Sequence, residues 1–154
     1  MSFHIREVTP EDCPLLVQLI RELADYERLA DAMQATPDDL HRSLFIERAA
    51  NAVLAYEADQ PIGFALYFFN YSTFVGRKGL YLEDLYVRPE FRGKGYGKAL
   101  LLHLVEVAQK EQCGRMEWSV LNWNTPAIDF YNSLGAQAMN EWTVYRLNPG
   151  QFKQ

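Results

Sequence analysis

The segment from Leu80 to Ala108 constrains the fold of this 154-residue chain more than any other. It joins an apolar run, Leu80–Val87, to the glycine-rich stretch Arg92-Gly93-Lys94-Gly95-Tyr96-Gly97 and then to a helical pattern with one apolar face. The leucine spacing in that pattern is typical of an amphipathic helix packed on a sheet. Free backbone N–H groups at a helix N-terminus attract anions, and glycines let phosphate oxygens approach the main chain. The segment therefore predicts a strand, an anion-binding loop and a helix, although the glycines alone are also compatible with a flexible turn that only starts the helix.

Two common phosphate-binding loops are excluded by the glycine spacing. A Walker loop requires a glycine five positions before its Gly-Lys pair, and that position is Arg92. The dinucleotide fingerprint Gly-x-Gly-x-x-Gly ends on Lys98 when it starts at Gly93 and on Leu100 when it starts at Gly95. The loop belongs to neither type.

The rest of the chain alternates helical and extended patterns. Thr9-Pro10-Glu11-Asp12 and Thr36-Pro37-Asp38-Asp39 predict capping boxes at two helix starts, and Thr125-Pro126 predicts a capped start for the last helix. Period-two runs predict a hairpin in the middle of the chain and one or two closing strands between Ala138 and Leu147. The resulting order, β-α-α-β-β-β-α-β-α-β-β, indicates a single α/β (α+β) domain over residues 1–154. We expect a mixed, mostly antiparallel sheet of six to seven strands, with about four helices on its two faces.

Composition and charge limit the partners that the chain is expected to have. Fifteen Lys and Arg residues against 20 Asp and Glu residues leave a formal charge of −5, without a basic block. A nucleic-acid or anionic-membrane binder would present clustered lysines and arginines, so neither partner is expected. Cys13 and Cys113 lie a hundred positions apart without a Cys-x-x-Cys pair, so neither a zinc site nor a disulfide scaffold is expected. Without a signal-peptide pattern or an apolar run long enough to span a bilayer, we expect a cytoplasmic protein.

The glycine loop resembles a known signature. Arg92-x-x-Gly95-x-Gly97 is similar to the Arg/Gln-x-x-Gly-x-Gly/Ala motif of the GCN5-related N-acetyltransferases (GNATs), the loop that holds the pyrophosphate of acetyl-coenzyme A (acetyl-CoA). The order of elements over residues 3–147 also resembles the GNAT fold. Three further segments resemble the diamine acetyltransferase branch, which contains the spermidine/spermine and thialysine acetyltransferases. They are Arg21–Glu27, Leu80–Val87, and Trp123-Asn124 through Ala127 to Tyr131.

The resemblance implies that three parts of the chain bind acetyl-CoA and that no metal is needed. In GNATs the backbone corresponding to Leu85–Val87 pairs with the pantetheine arm, and a bulge there would free one N–H for the thioester oxygen. The glycine loop would hold the pyrophosphate, and the start of the last helix would contact the coenzyme. The implied coenzyme-binding residues are Leu85, Tyr86, Val87, Arg92, Gly93, Lys94, Gly95, Tyr96, Gly97, Lys98, Asn124, Thr125, Pro126 and Ala127.

Acetyl transfer to an amine requires a neutral amine and a proton for the departing thiolate. Because an alkyl ammonium has a pKa of about 10.4, a carboxylate that acts directly or through a water is an economical base. Glu83 and Asp84 are adjacent on an apolar strand, where one solvent-facing and one salt-bridged carboxylate is the alternative. The resemblance assigns Glu83 as base or ammonium anchor, with Asp84 second. It assigns the role of acid to Tyr131, whose position on a helix is by itself typical of core packing.

Tyr26 and Glu27 end the first predicted helix in an acidic run that suits an alkyl ammonium through charge and cation–π contact. A solvated helix face is the alternative. By resemblance, part of a later strand lines the same site. The implied substrate-binding residues are Tyr26, Glu27, Glu83, Asp84, Glu117, Trp118 and Ser119.

Together these residues predict an N-acetyltransferase that uses acetyl-CoA and a primary amine of a small molecule in a ternary complex. The implied acceptor is a diamine, a polyamine, thialysine or a lysine-like amine, and the segments Asn70–Phe74 and Arg21–Asp31 look nearer to the thialysine type. A peptide or protein acetyltransferase and a non-catalytic acyl-CoA sensor are the alternatives. The resemblance also implies a homodimer.

Overall fold

The computed structural model describes residues 2–153, which divide into a first compact unit ending at Ser119 and a second unit beginning at Val120. The first unit contains β1 (Phe3–Glu7), α1 (Cys13–Tyr26), α2 (Pro37–His41), β2 (Asn51–Glu57), β3 (Gln60–Ser72), β4 (Arg77–Val87), α3 (Tyr96–Lys110) and β5 (Met116–Trp118). The second unit contains α4 (Thr125–Ser133). Among residues 2–153, no helix is long and apolar enough to cross a membrane. The single-domain organisation of residues 1–154 stays a prediction.

Both capping boxes predicted for the first unit are formed. Before α1, the Asp12 carboxylate accepts a hydrogen bond from the Thr9 N–H at 2.7 Å. At α2, the Asp39 carboxylate accepts from the Thr36 N–H at 3.0 Å, and the Thr36 hydroxyl accepts from the Asp39 N–H at 3.2 Å. These bonds satisfy groups that a helix start leaves without an intrahelical partner. At Thr36 the box starts α2 as predicted, whereas at Thr9 it starts a 3-10 turn, Pro10–Asp12, and α1 itself begins three residues later than predicted, at Cys13.

The strands form one sheet in the order β1-β2-β3-β4-β5, in which the first four are antiparallel and β5 is parallel to β4. α1 and α2 pack on one face, in a core that includes Leu16, Leu19 and Tyr86. α3 begins on the opposite face, where Gly97 lies beside the side chain of Val87, the neighbour of Tyr86 along β4. The predicted mixed sheet with helices on both faces is therefore confirmed.

A β-bulge interrupts β4 at Glu83. The register between β3 and β4 pairs Tyr67 with Leu82 and Leu66 with Asp84, which leaves Glu83 as the extra residue. Because side chains alternate along a strand, the extra residue changes the face that follows. Asp84 therefore lies on the α1 side of the sheet, although Leu82 lies on the α3 side.

β4 and β5 pair over a short distance only. Their parallel register runs from Leu80 opposite Met116 to Leu82 opposite Trp118. Within the described chain, residues 84–87 pair with β3 on one side and with no strand on the other. That edge of β4 leaves backbone donors and acceptors to which an extended ligand could add.

The closing strands predicted between Ala138 and Leu147 are not formed, so the sheet has five strands rather than six to seven. An alternation of apolar residues predicted them, but Val144 is 84% exposed and Tyr145 is 92% exposed. Alternation favours a strand only where a neighbouring strand supplies hydrogen bonds and one face is buried. Within residues 2–153 this stretch has no such neighbour.

Candidate active site

A shallow cavity of about 180 Å³, largely open to solvent, lies between the C-terminal half of α1, the segment that follows it, and β4. Its lining is apolar apart from two carboxyl groups. The lining residues are Ile20, Leu23, Ala24, Glu27, Leu29, Ala32, Met33 and Asp84. Those contributed by α1 recur at intervals of three and four, so they share one helix face. The bulge in β4 brings Asp84 to the same cavity.

Three carboxyl groups influence one another in this region. Burial raises the pKa of Asp84 to about 7, with further contributions from the negative charges of Glu83 and Glu27. Burial also raises the pKa of Glu27, again with a contribution from the charge of Glu83. Concentrated, partly desolvated negative charge favours the binding of a cation, which relieves the repulsion. The cavity is therefore suited to an ammonium group on an apolar chain.

Sequence reasoning placed Glu83 before Asp84, whereas the cavity wall contains Asp84. Glu83 is exposed at the bulge, and its charge acts on both Asp84 and Glu27. The carboxylates of Glu83 and Asp84 thus both contribute negative charge to the region of the cavity. In a regular strand, two neighbouring side chains would point to opposite faces of the sheet.

The loop before α3 has the backbone that an anion site requires. Gly93 and Gly95 have φ angles of 81° and 83°, in the left-handed region that favours glycine. The first intrahelical bond runs from the Ala99 N–H to the Gly95 carbonyl at 3.0 Å. The N–H groups of the first turn lie before this bond and have no partner within the helix, and the N-cap residue Gly95 has no side chain that could accept from them. The predicted loop therefore fits a pyrophosphate group.

The three cations of this loop are not equivalent. The Lys94 ammonium lies 3.1 Å from a carboxylate oxygen of Glu57, which is only 5% exposed and also accepts from the Tyr96 hydroxyl at 2.7 Å. These two hydrogen bonds lower the pKa of Glu57. The Arg92 side chain donates to a backbone carbonyl, whereas Lys98 is exposed and has no ion pair within residues 2–153. Lys98 is thus the loop cation with the greatest freedom to meet a bound anion.

The three β5 candidates lie beside the part of β4 that precedes the bulge. Glu117 and Trp118 are level with Tyr81 and Leu82 in the parallel register. The Ser119 hydroxyl lies 2.7 Å from the Tyr81 hydroxyl. The Glu117 carboxylate lies 3.4 Å from Arg115, so part of its charge is compensated.

The remaining predicted site residues lie in the second unit. Asn124 is the N-cap of α4, and its side chain accepts from the Ala127 N–H at 3.4 Å, so the predicted cap at Thr125 is wrong by one residue. An asparagine is a strong N-cap, and the start of the helix follows the cap rather than the proline. Tyr131 is half-buried, with its ring 5.6 Å from that of Phe130. Its role and the coenzyme contacts of Asn124–Ala127 stay predictions.

Sequence reasoning missed two features of the first unit. The apolar wall of the cavity was not identified, although the spacing of Ile20, Leu23 and Glu27 contained the signal. It also missed the contacts of Arg92 and Arg88 with side chains of α1, because the sequence gives no sign of which partners such long side chains reach.

Comparison with known proteins agrees with this geometry. The model of the acetyltransferase (GNAT) family matches residues 16–136. The chain belongs to the GNAT family. It is therefore an acetyltransferase by family, as its sequence signature predicted, and the fold described above is the GNAT fold.

Three of its relatives are informative. The chain is 39% identical to thialysine N-epsilon-acetyltransferase of Bos taurus, over 92% of this chain and 90% of that protein. It is 33% identical to L-ornithine N5-acetyltransferase of Arabidopsis thaliana, over 96% and 85% of the two chains. Among solved structures, an integron cassette protein from the mobile metagenome of V. cholerae superposes with a TM-score of 0.81 and 31% identity, covering 98% of this chain and 95% of that one.

Proposed function

We propose that this protein transfers the acetyl group of acetyl-CoA to the primary amine of a small molecule, by direct attack in a ternary complex. The observation that supports this most directly is the β4 bulge. It combines an acidic, partly apolar cavity with an unpaired strand edge on the same stretch of chain. The named relatives act on the terminal amines of thialysine and ornithine, so the proposed acceptor carries such an amine on a short aliphatic chain.

Residues of the first unit are proposed to hold two parts of the coenzyme, its pantetheine arm and its pyrophosphate. The unpaired edge of residues 85–87 would pair with the pantetheine arm, and the first-turn N–H groups of α3 with Lys98 would hold the pyrophosphate. Asn124–Ala127 are proposed to add contacts from the second unit. When bound, acetyl-CoA supplies an acetyl thioester whose carbonyl carbon is the electrophile.

The carboxylates would bind the amine and take up its proton. An alkyl ammonium is well under about 1% free base at neutral pH, so attack requires that a proton be removed. With a pKa of about 7, Asp84 is partly ionised at neutral pH and can accept that proton, directly or through a water held by Glu83. Glu27 adds attraction for the ammonium, and Tyr26, Glu117, Trp118 and Ser119 are proposed to line the remainder of the site.

Tyr131 is proposed to protonate the thiolate that leaves. A thiol with a pKa of about 8.5 and a phenol with a pKa of about 10 are close enough for this transfer in a tuned site. Its hydroxyl would donate the proton to sulfur when the carbon–sulfur bond breaks.

An acceptor screen tests the proposed function. The protein is mixed with acetyl-CoA and thialysine, lysine, ornithine, putrescine or spermidine, and both free thiol and the acetylated product are measured. We expect stoichiometric thiol and N-acetyl product with at least one of these amines. Tight acetyl-CoA binding without product from any amine would instead support a sensor.

Matched variants then separate the two neighbouring carboxylates. Asp84→Asn should lower kcat/KM for the best amine at least a hundredfold, because an amide cannot accept the proton. Glu83→Gln should lower it less if Glu83 only orders a water. The exposed α3 variant Glu106→Gln is the control for a change of net charge. A larger loss in Glu83→Gln than in Asp84→Asn would make Glu83 the base.

A further inference from the structure

We infer that Arg92 is a positioning residue for the amine site, because its guanidinium holds the C-terminal end of α1 against the end of β4. This inference rests on the proposed function. It differs from the role implied by the loop signature, in which Arg92 belongs to the coenzyme site.

The Arg92 side chain is held at three points in the first unit. Its Nε donates to the Val87 carbonyl at 2.9 Å, at the end of β4. Its guanidinium carbon lies 4.8 Å from the ring centroid of Tyr26 and 5.7 Å from that of Tyr86. A planar cation that is fixed by one directed hydrogen bond and lies within about 6 Å of two ring centroids gains cation–π attraction from both rings. The side chain thus connects the coenzyme loop, β4 and α1.

A second arginine attaches α1 one turn earlier. Arg88 donates to both carboxylate oxygens of Glu22, at 3.1 and 2.9 Å, and the Tyr86 hydroxyl donates to Glu22 at 3.2 Å. Glu22 and Tyr26 are four residues apart, so they lie on the same face of the helix. Arg88 thus holds the penultimate turn of α1 through its ion pair with Glu22, and Arg92 holds the last turn through its cation–π contact with the Tyr26 ring.

The last turn of α1 determines where the Glu27 carboxylate lies. Glu27 directly follows Tyr26 and lines the cavity opposite Asp84. The chain then reverses at Arg28, whose φ is 62°, and the Leu29 N–H returns to the Ala24 carbonyl at 2.8 Å. Loss of the Arg92 contact would leave this turn free to shift, and the Glu27 carboxylate would move relative to Asp84. The expected defect is therefore in amine binding.

Substitution with lysine separates this role from that of a phosphate-binding charge. Arg92→Lys keeps the positive charge but loses the planar group and its Nε–H. We expect both Arg92→Lys and Arg92→Ala to raise KM for the amine about five- to twentyfold, with a smaller change in KM for acetyl-CoA. If Arg92 acted only as a charge for pyrophosphate, Arg92→Lys would behave like the wild type. In that case, Arg92→Ala would raise KM for acetyl-CoA alone.

Two further variants make the kinetic test specific. Lys98 belongs to the same loop as Arg92, but within the described residues its ammonium contacts no aromatic ring. Lys98→Ala should therefore raise KM for acetyl-CoA rather than for the amine. Tyr26→Leu should resemble Arg92→Ala, and the double variant should be no worse than either single one, because both remove the same contact. Additive effects on the amine KM would overturn the pairing of Arg92 with Tyr26.

Hydrogen exchange provides a readout that does not depend on turnover. The amides of residues 27–29, which bond back to the last turns of α1, should exchange faster in Arg92→Ala and Arg92→Lys than in the wild type or Lys98→Ala. Unchanged exchange would overturn the inference, as would faster exchange with an unchanged amine KM. If the wild type acetylates no amine, the proposed function fails. In that case, hydrogen exchange and calorimetric measurement of amine binding by the same variants still test the positioning role of Arg92, because neither measurement requires turnover.

Discussion

Replacing Asp84 with asparagine should stabilise this protein at alkaline pH while it removes activity. The pKa of Asp84 is raised from an ordinary value of 3.8 to about 7, first by burial and then by the charges of Glu83 and Glu27. Between these two pH values the folded state keeps a proton that the unfolded state has released. The contribution of Asp84 to the free energy of unfolding is therefore largest below pH 3.8, and it is lost as the pH rises to about 7.

The size of the effect follows from the interval between these two pKa values. At about 1.4 kcal/mol for each pH unit, it corresponds to up to ~4 kcal/mol of unfolding free energy. An asparagine at this position resembles the protonated acid and does not titrate. The two proteins should therefore be similar in stability near pH 4, and Asp84→Asn should be the more stable by up to ~4 kcal/mol at pH 8.

Urea unfolding monitored by tryptophan fluorescence at pH 4, 6 and 8 measures this difference. Glu106→Gln is the matched control, because it makes the same chemical change at an exposed position of α3. A stability difference that stays constant between pH 4 and pH 8 would refute the reasoning, because a constant difference reflects packing rather than proton uptake. The m-value should be the same in all three proteins, so that the comparison refers to one transition.

Three further predictions concern the rate and the loop. In initial-rate measurements from pH 5.5 to 9, kcat/KM for the amine should rise with pH and then level off. Glu27→Gln should move the inflection of this curve to lower pH, because it removes one of the charges that raise the pKa of Asp84. An inflection at the same pH in the variant would exclude this coupling between Glu27 and Asp84. Gly95→Ala should raise KM for acetyl-CoA about tenfold, because its φ of 83° strains a side-chain-bearing residue. In steady-state kinetics, Gly97→Ala should have a much smaller effect, since its Cβ would meet only side-chain atoms at 3.8 and 3.9 Å, and equal effects would contradict this account of the loop. Tyr131→Phe should lower kcat at least tenfold with little change in KM for acetyl-CoA, and unchanged turnover in the thiol-release assay would remove Tyr131 from the role of acid.

Local physics explains why much of the fold could be predicted. Both capping boxes involve residues three positions apart, so a short window of sequence contains every atom of each motif. The left-handed glycines Gly93 and Gly95 likewise act through their own backbone. The period of the apolar residues showed which faces are buried, and the sheet with helices on both faces followed.

Pairing between distant segments could not be predicted in the same way. The stretch from Ala138 to Leu147 has the alternation of a strand, yet a strand forms only where another strand supplies its hydrogen bonds. The same limit applies to long cations. Lys94 belongs to the loop, but its ammonium meets Glu57 at the end of β2. The sequence of the loop contains no information on that partner.

The sequence by itself determined the chemistry available to this protein, namely an anion-binding loop, two adjacent carboxylates and an acidic helix end. The tertiary structure decided which of these groups work together. The register of β3 against β4 places the bulge at Glu83, which directs Asp84 into a cavity whose opposite wall carries Glu27. The raised pKa of Asp84 depends on burial and on charges that converge only after folding. Strand register and burial are properties of pairs of distant segments, and no local pattern of residues specifies them.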